Sequence, residues 1–248
     1  MSFITISNRL QTIAEFCPHG TRVADIGSDH ALLASYLTLN KIASHVIAGE
    51  LNEGPFLAAK HQIASIGAED RVSVRRGDGL AVLQQNEVDV ICIAGMGGQL
   101  ITSILDAGKE KLQGVSRLVL QPNVGEDTVR RWFLNHGWQL IEERIIEEDG
   151  IIYEILVAEV GEPDAPYLGS DRSKDELLRL GPFLWQQKSP ILLKKLEHEK
   201  EKWLKIYAQM SQSEREETKS RLLEVQQEIT WLEEVISCIQ TDKPLSNS

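Results

Sequence analysis

A chain of 248 residues with 42% hydrophobic and 25% charged side chains is long enough for one sizeable domain, or a domain with an appendage, which excludes disorder as its main state. The 26 Lys and Arg against 37 Asp and Glu leave a net charge of −11, which taken alone argues against a nucleic-acid partner, since phosphate binding favours a basic surface. Cys17, Cys92 and Cys238 form no Cys-x-x-Cys pair and the histidines do not cluster, so neither a disulfide framework nor a metal site is expected; no apolar run approaches a membrane span and no leader pattern stands at the N-terminus, so the expected location is cytoplasmic.

From Thr21 to Val160, short β-branched runs alternate with helical segments, the pattern of a parallel sheet wrapped by helices. The spacing predicts strands over Arg22–Ile26, His45–Glu50, Val72–Arg76, Asp89–Ala94 and Arg117–Gln121. It predicts helices over Ala31–Asn40, Asn52–Ile66, Gly98–Leu112 and Glu126–Asn135. Asp149-Gly150, between two strand-like runs, predicts a tight hairpin. A parallel sheet that ends in an antiparallel hairpin is the Rossmann-like methyltransferase pattern rather than the dehydrogenase one.

Gly161–Gly169, with two prolines and two glycines, reads as a linker, which divides the chain into domains 1–162 and 163–248. Beyond it Leu193, Leu196, Trp203, Tyr207 and Met210 follow helical spacing, as do Leu222, Val225, Ile229, Leu232, Ile236 and Ile239. Two helices joined around Ser211–Ser213 would form an antiparallel coiled coil within a single chain, and so a monomer, although a partner chain could use the same stripe.

The chemistry gathers at the carboxyl ends of the expected strands. Asp25-Ile-Gly-Ser-Asp-His-Ala31 ends the first strand and turns at Gly27, but Asp29 and Leu32 stand where a dinucleotide fingerprint would have glycine. An aspartate in that turn repels a pyrophosphate and suits the ammonium and sulfonium of S-adenosylmethionine. Glu50, next to Leu51, ends the second strand and can accept a ribose diol; Asp78, next to Gly79, can accept the adenine amine. Gly95, Met96 and Gly97 let backbone approach a ligand, while Gln121-Pro-Asn123 can present two amides to a base edge. His30 either meets the cofactor or plays a structural part.

The motifs at Asp25–Ala31, Gly77–Leu80, Ala94–Gly98 and Gln121–Asn123, with Ile6–Leu10 and Gly150–Glu154, together resemble the TrmK family of bacterial tRNA methyltransferases. The resemblance implies an S-adenosylmethionine-dependent enzyme that methylates N1 of adenine 22 in the D-arm region of tRNA, with a C-terminal helical coiled-coil domain. It implies cofactor binding by Asp25, Gly27, His30, Glu50, Leu51, Asp78, Gly79, Gly95, Met96 and Gly97. Asp29 and Asn123 are expected to act on the base, the cofactor ammonium being the competing assignment for Asp29, and Arg9, Gln121, Lys194 and Lys195 to bind substrate. The alternatives are methylation of another RNA position or a small metabolite, and an RNA-binding module without turnover.

Overall fold

Short parallel strands buried on both faces dictate the centre of this molecule, a computed structural model that describes residues 4–211 and 216–241. The strands are β1 (Thr21–Ile26), β2 (Ala43–Glu50), β3 (Val72–Arg76), β4 (Val90–Gly97), β5 (Arg117–Val124), β6 (Trp138–Glu148) and β7 (Ile151–Val160). They form one sheet in the order β3-β2-β1-β4-β5-β7-β6. The pairs among β1 to β5 are parallel, whereas β7 runs antiparallel to both β5 and β6. Asp149 and Gly150 take φ of 52° and 78°, so both residues of the expected hairpin turn are left-handed.

The helices of the first part are α1 (Asn8–Glu15), α2 (Leu32–Leu39), α3 (Glu53–Ser65), α4 (Gly98–Ala107) and α5 (Glu126–Asn135). Four of them stand where the sequence spacing predicts helices. The stretch expected as helix up to Leu112 instead ends at Ala107 and resumes as a 3-10 turn over Lys109–Leu112, because Gly108 breaks it. One face of the sheet buries Val23, Val46, Cys92 and Val119 with Ile13, Leu33 and Ile63; the other buries Ile26, Ile47, Ile91 and Leu120 with Ile101, Leu105 and Phe133. Sequence order reverses between β1 and β4, the position at which ligands settle in open α/β sheets.

Beyond the sheet lie α6 (Lys174–Leu180), α7 (Pro182–Gln187), α8 (Pro190–Met210) and α9 (Glu216–Thr241). The chain resolves into compact units Met1–Phe183 and Leu184–Ser248, whereas the linker composition predicts a division after residue 162. The intervening segment stays with the sheet because a buried ion cluster holds it. Arg130 on α5, 0% exposed, pairs with Glu143 and Glu154 at 2.6 and 2.5 Å and donates to the carbonyls of Leu178 and Arg179 on α6. Phe183 N–H donates to Glu143, and Gly181 passes so close that a Cβ there would lie 2.6 Å from an Arg130 nitrogen.

In the second unit α8 and α9 pack on one another. Val225, Ile229, Leu232, Ile236 and Ile239 are buried as the stripe predicts, and Val235 joins them. Part of the expected junction at Ser211–Ser213 lies outside the described residues.

Candidate active site

The turn after β1 is built from left-handed backbone. Gly27 has φ 72°, and Asp29, His30 and Ala31 follow at 39°, 64° and 54°, three consecutive non-glycine residues in a region that costs about 1–2 kcal/mol each. Such a turn needs outside support. Glu50 at the end of β2 supplies it, its carboxylate accepting the Asp29 N–H at 2.6 Å, while Gly27 N–H donates to the Gly49 carbonyl at 2.9 Å.

Asp25 lies beneath this turn, 5% exposed, and accepts from the Ser28 hydroxyl at 2.8 Å. Burial pushes its carboxyl up to about 7, with the charges of Glu50 and Asp29 adding to that effect and the Ser28 hydrogen bond opposing it. Burial likewise raises Glu50, against the Asp29 N–H that favours its charged form. The Asp29 side chain is 86% exposed, with one oxygen 3.6 Å from His30 Nε2. The donor set is therefore acidic, and its buried member lies above its usual range because burial disfavours the charged form. That chemistry fits a ligand that carries an ammonium, a sulfonium and a ribose diol.

The neighbouring strand ends complete the cleft. Gly77 N–H donates to the Glu50 carbonyl, placing the Asp78–Gly79 turn beside the end of β2, and both Asp78 and Leu51 face solvent. Met96 lies over the β1 turn, its Cε 2.2 Å from where a Cβ at Gly27 would be, so that position is reserved for glycine by space as well as by φ.

A second cluster occupies the ends of β4 and β5. Arg9 of α1 donates to Gln121 Oε1 at 2.7 Å, with its guanidinium 5.4 Å from the centroid of the Tyr153 ring. Asn123, exposed, donates to the Gly95 carbonyl at 2.9 Å. Gln121 is fully buried, and its amide is occupied on both sides: the oxygen accepts from Arg9 and from Gly95 N–H, and the nitrogen donates to the carbonyl of Pro122 and to Asn123 Oδ1. The expectation that Gln121 offers an amide to a base edge is thereby altered, because no hydrogen-bonding position of that amide is left over.

Lys194 and Lys195 lie on α8 in the second unit. The sequence patterns do not single out Glu148, whose carboxylate accepts Asn8 N–H and Arg9 N–H and so caps the helix that carries Arg9. They also pass over Tyr153 as a partner of Arg9, since pairing between α1 and the hairpin has no local signature. Gly98 belongs to the Ala94–Gly98 motif, yet its reason is packing: a Cβ there would lie 2.1 Å from the Gly125 carbonyl oxygen. Among the described residues no group of His, Cys, Asp and Glu is placed to hold a metal ion, and no helix is long and apolar enough to cross a membrane.

The family model described as TrmK, tRNA (adenine(22)-N(1))-methyltransferase, matches residues 23–234. A Bacillus subtilis (strain 168) protein named tRNA (adenine(22)-N(1))-methyltransferase is 48% identical over 237 residues, covering 95% of this chain and 99% of its own. The crystal structure of B. subtilis TrmK superimposes with a TM-score of 0.88 over 94% of this chain and 100% of that one, at 48% identity. A Streptococcus pneumoniae protein in complex with S-adenosyl-L-methionine matches at 37% identity and a TM-score of 0.82, over 94% of this chain and 100% of its own. M. capricolum TrmK, in complex with S-adenosyl-homocysteine, matches at 25% identity and a TM-score of 0.78, over 94% of this chain and 99% of its own.

Proposed function

Because this chain belongs to the TrmK family of tRNA (adenine(22)-N(1))-methyltransferases, we propose how its residues divide the work of transferring a methyl group from S-adenosylmethionine to N1 of adenine 22. The observation that carries the assignment is the acidic left-handed turn Gly27–Ala31, braced by Glu50 above buried Asp25 at the reversal point of the sheet. Asp25 and Asp29 face the cationic methionine end of the cofactor, Glu50 its ribose diol, and Asp78 with Leu51 and Gly79 its adenine. Gly27, Gly95, Met96 and Gly97 form the floor on which it lies, and His30 meets its carboxylate.

S-adenosylmethionine supplies the electrophilic methyl carbon when bound. Adenine N1 attacks with a ring lone pair, so no strong base is needed beforehand and the protein's contribution is chiefly alignment. N1 lies on the pairing edge, so the base must leave its helix before it reaches the cleft. Asn123 orients its amino group, and Arg9 holds the base or its phosphate from the side of α1. The exposed carboxylate of Asp29 stabilises the positive charge that appears on the methylated ring and can accept the proton from N6.

Lys194 and Lys195 on α8 contact the tRNA backbone, and the α8–α9 pair acts as a helical coiled coil. The apolar stripe of α9 is engaged within one chain, which supports a monomer. A tRNA substrate supports a cytoplasmic location.

The direct test is methylation of unmodified tRNA with labelled donor, followed by nucleoside analysis. N1-methyladenosine at position 22 is expected; label at another position, or in a small metabolite only, overturns the substrate assignment. Replacement of Asp29 by alanine separates its two candidate roles. Turnover should fall by at least about tenfold more than cofactor affinity does, whereas equal losses assign Asp29 to cofactor binding alone.

A further inference from the structure

The β4–β5 pairing slips between Ala94 and Met96, which leaves Gly95 in a bulge with φ 78°. A bulged residue loses its ladder partners, and here side chains of β5 replace them. Gly95 N–H donates to Gln121 Oε1 at 3.2 Å, and its carbonyl accepts from Asn123 Nδ2 at 2.9 Å. The same Gln121 oxygen accepts from Arg9 at 2.7 Å, while Gln121 Nε2 donates to Pro122 O at 2.9 Å and to Asn123 Oδ1 at 3.0 Å.

We propose that Gln121 is a positioning residue for methyl transfer: from inside the protein it fixes Arg9, the Gly95 bulge and the Asn123 amide in one arrangement and does not itself touch the tRNA. Two facts make the assignment specific to glutamine. The amide is 0% exposed, so substrate cannot reach it without displacing a partner. Its polarity is also determined at both ends, since two donors converge on the oxygen and two acceptors on the nitrogen. A glutamate of the same shape would keep the first pair and set an oxygen against the carbonyls of Pro122 and Asn123. The Asn123 amide would then turn over or swing away, and with it the edge offered to adenine.

This inference rests on the reading above, in which Arg9 and Asn123 meet the target base, and wild-type protein assayed in parallel for N1-methyladenosine at position 22 keeps the two separable. The test is steady-state methylation by Gln121→Glu across pH 5.5–9, with calorimetry of S-adenosylmethionine binding. At pH 8 kcat should fall by about tenfold to a hundredfold, with KM for tRNA and cofactor affinity within about threefold of wild type. The loss should shrink toward the acid end of that range, because a protonated carboxyl regains a donor toward Pro122 or Asn123, burial favouring that protonation and the Arg9 guanidinium opposing it. Gln121→Met, which has no donor, only a weak acceptor and no titrating group, should lose kcat equally at every pH. It also provides the kcat-against-KM split should the glutamate variant fail to fold. Wild-type kcat in either variant, or a loss that tracks cofactor affinity at all pH values, overturns the proposal.

Discussion

At the scale of single residues, Asp25 is the group whose environment most constrains the chemistry. Its carboxyl is held at about 7 by burial, against 3.8 for the free side chain, so the folded protein retains a proton that the unfolded chain has lost between those two values. The stabilisation is fully present below 3.8 and lost as pH rises through 7, which leaves the ligand-free protein least stable with Asp25 ionised. A cationic ligand reverses this preference by drawing the proton off. Cofactor affinity should therefore climb with pH up to about 7, by at most about tenfold per pH unit, and level off above it. Asp25→Asn should flatten that slope and raise the melting temperature of the ligand-free protein at pH 8. Calorimetry and melting curves at pH 5.5, 7 and 8.5 would decide it, and a slope that survives in the asparagine variant would place the titrating group elsewhere.

At the scale of elements, Arg130 shows how a position on α5 holds a segment distant in sequence. Burial works against its charge, and Glu143 and Glu154 override that effect, keeping the guanidinium protonated. Arg130→Met should leave two buried carboxylates facing each other and cost about 3–5 kcal/mol, measured by urea unfolding; joint apolar replacement of all three should cost far less. Little change in Arg130→Met alone would contradict the role given to the cluster. The same cluster marks where sequence reasoning stopped. Parallel strands and the Asp149–Gly150 turn were legible because burial on both faces and left-handed backbone leave local signatures. The attachment of α6 was not, since Pro and Gly in 161–169 resemble a boundary and the contacts that overrule them, Arg130 to the Leu178 carbonyl and Phe183 N–H to Glu143, join residues 48 and 40 positions apart. Helix α1 carries a local cap, Ser7 accepting the Leu10 N–H, but the second cap from Glu148, 140 positions away, has no such signature. The acidic turn after β1 could be read directly, whereas the saturation of Gln121 depends on a bulge that no spacing announces.

At the scale of the whole molecule, the net charge of −11 looks at odds with an RNA substrate until its distribution is considered. Residues through Ala165 carry −10 and the remainder −1, so the acidity belongs to the part that binds a cationic cofactor, and the helical part is close to neutral. On α8, Lys194, Lys195, Lys200, Lys202 and Lys205 outnumber Glu197, Glu199 and Glu201, a modest footprint for phosphate. A division of labour is the expected consequence, and the unit boundary says where to cut to test it. A chain ended at Asp164 would lose α6 and uncover the Arg130 cluster, so its failure would say nothing about RNA. A chain ended at Phe183 keeps that cluster and the entire sheet. It should bind S-adenosylmethionine within about threefold of the full chain but bind tRNA at least about tenfold more weakly. It should also show a shallower dependence of tRNA affinity on salt, because fewer phosphates are neutralised. Filter binding at 50 and 200 mM salt, with calorimetry as the check on folding, measures both quantities. Equal tRNA affinity and an equal salt slope in the two chains would move the RNA contacts onto the first unit, where Arg9, Arg75, Arg76 and Arg131 would have to supply them despite the surrounding acidity.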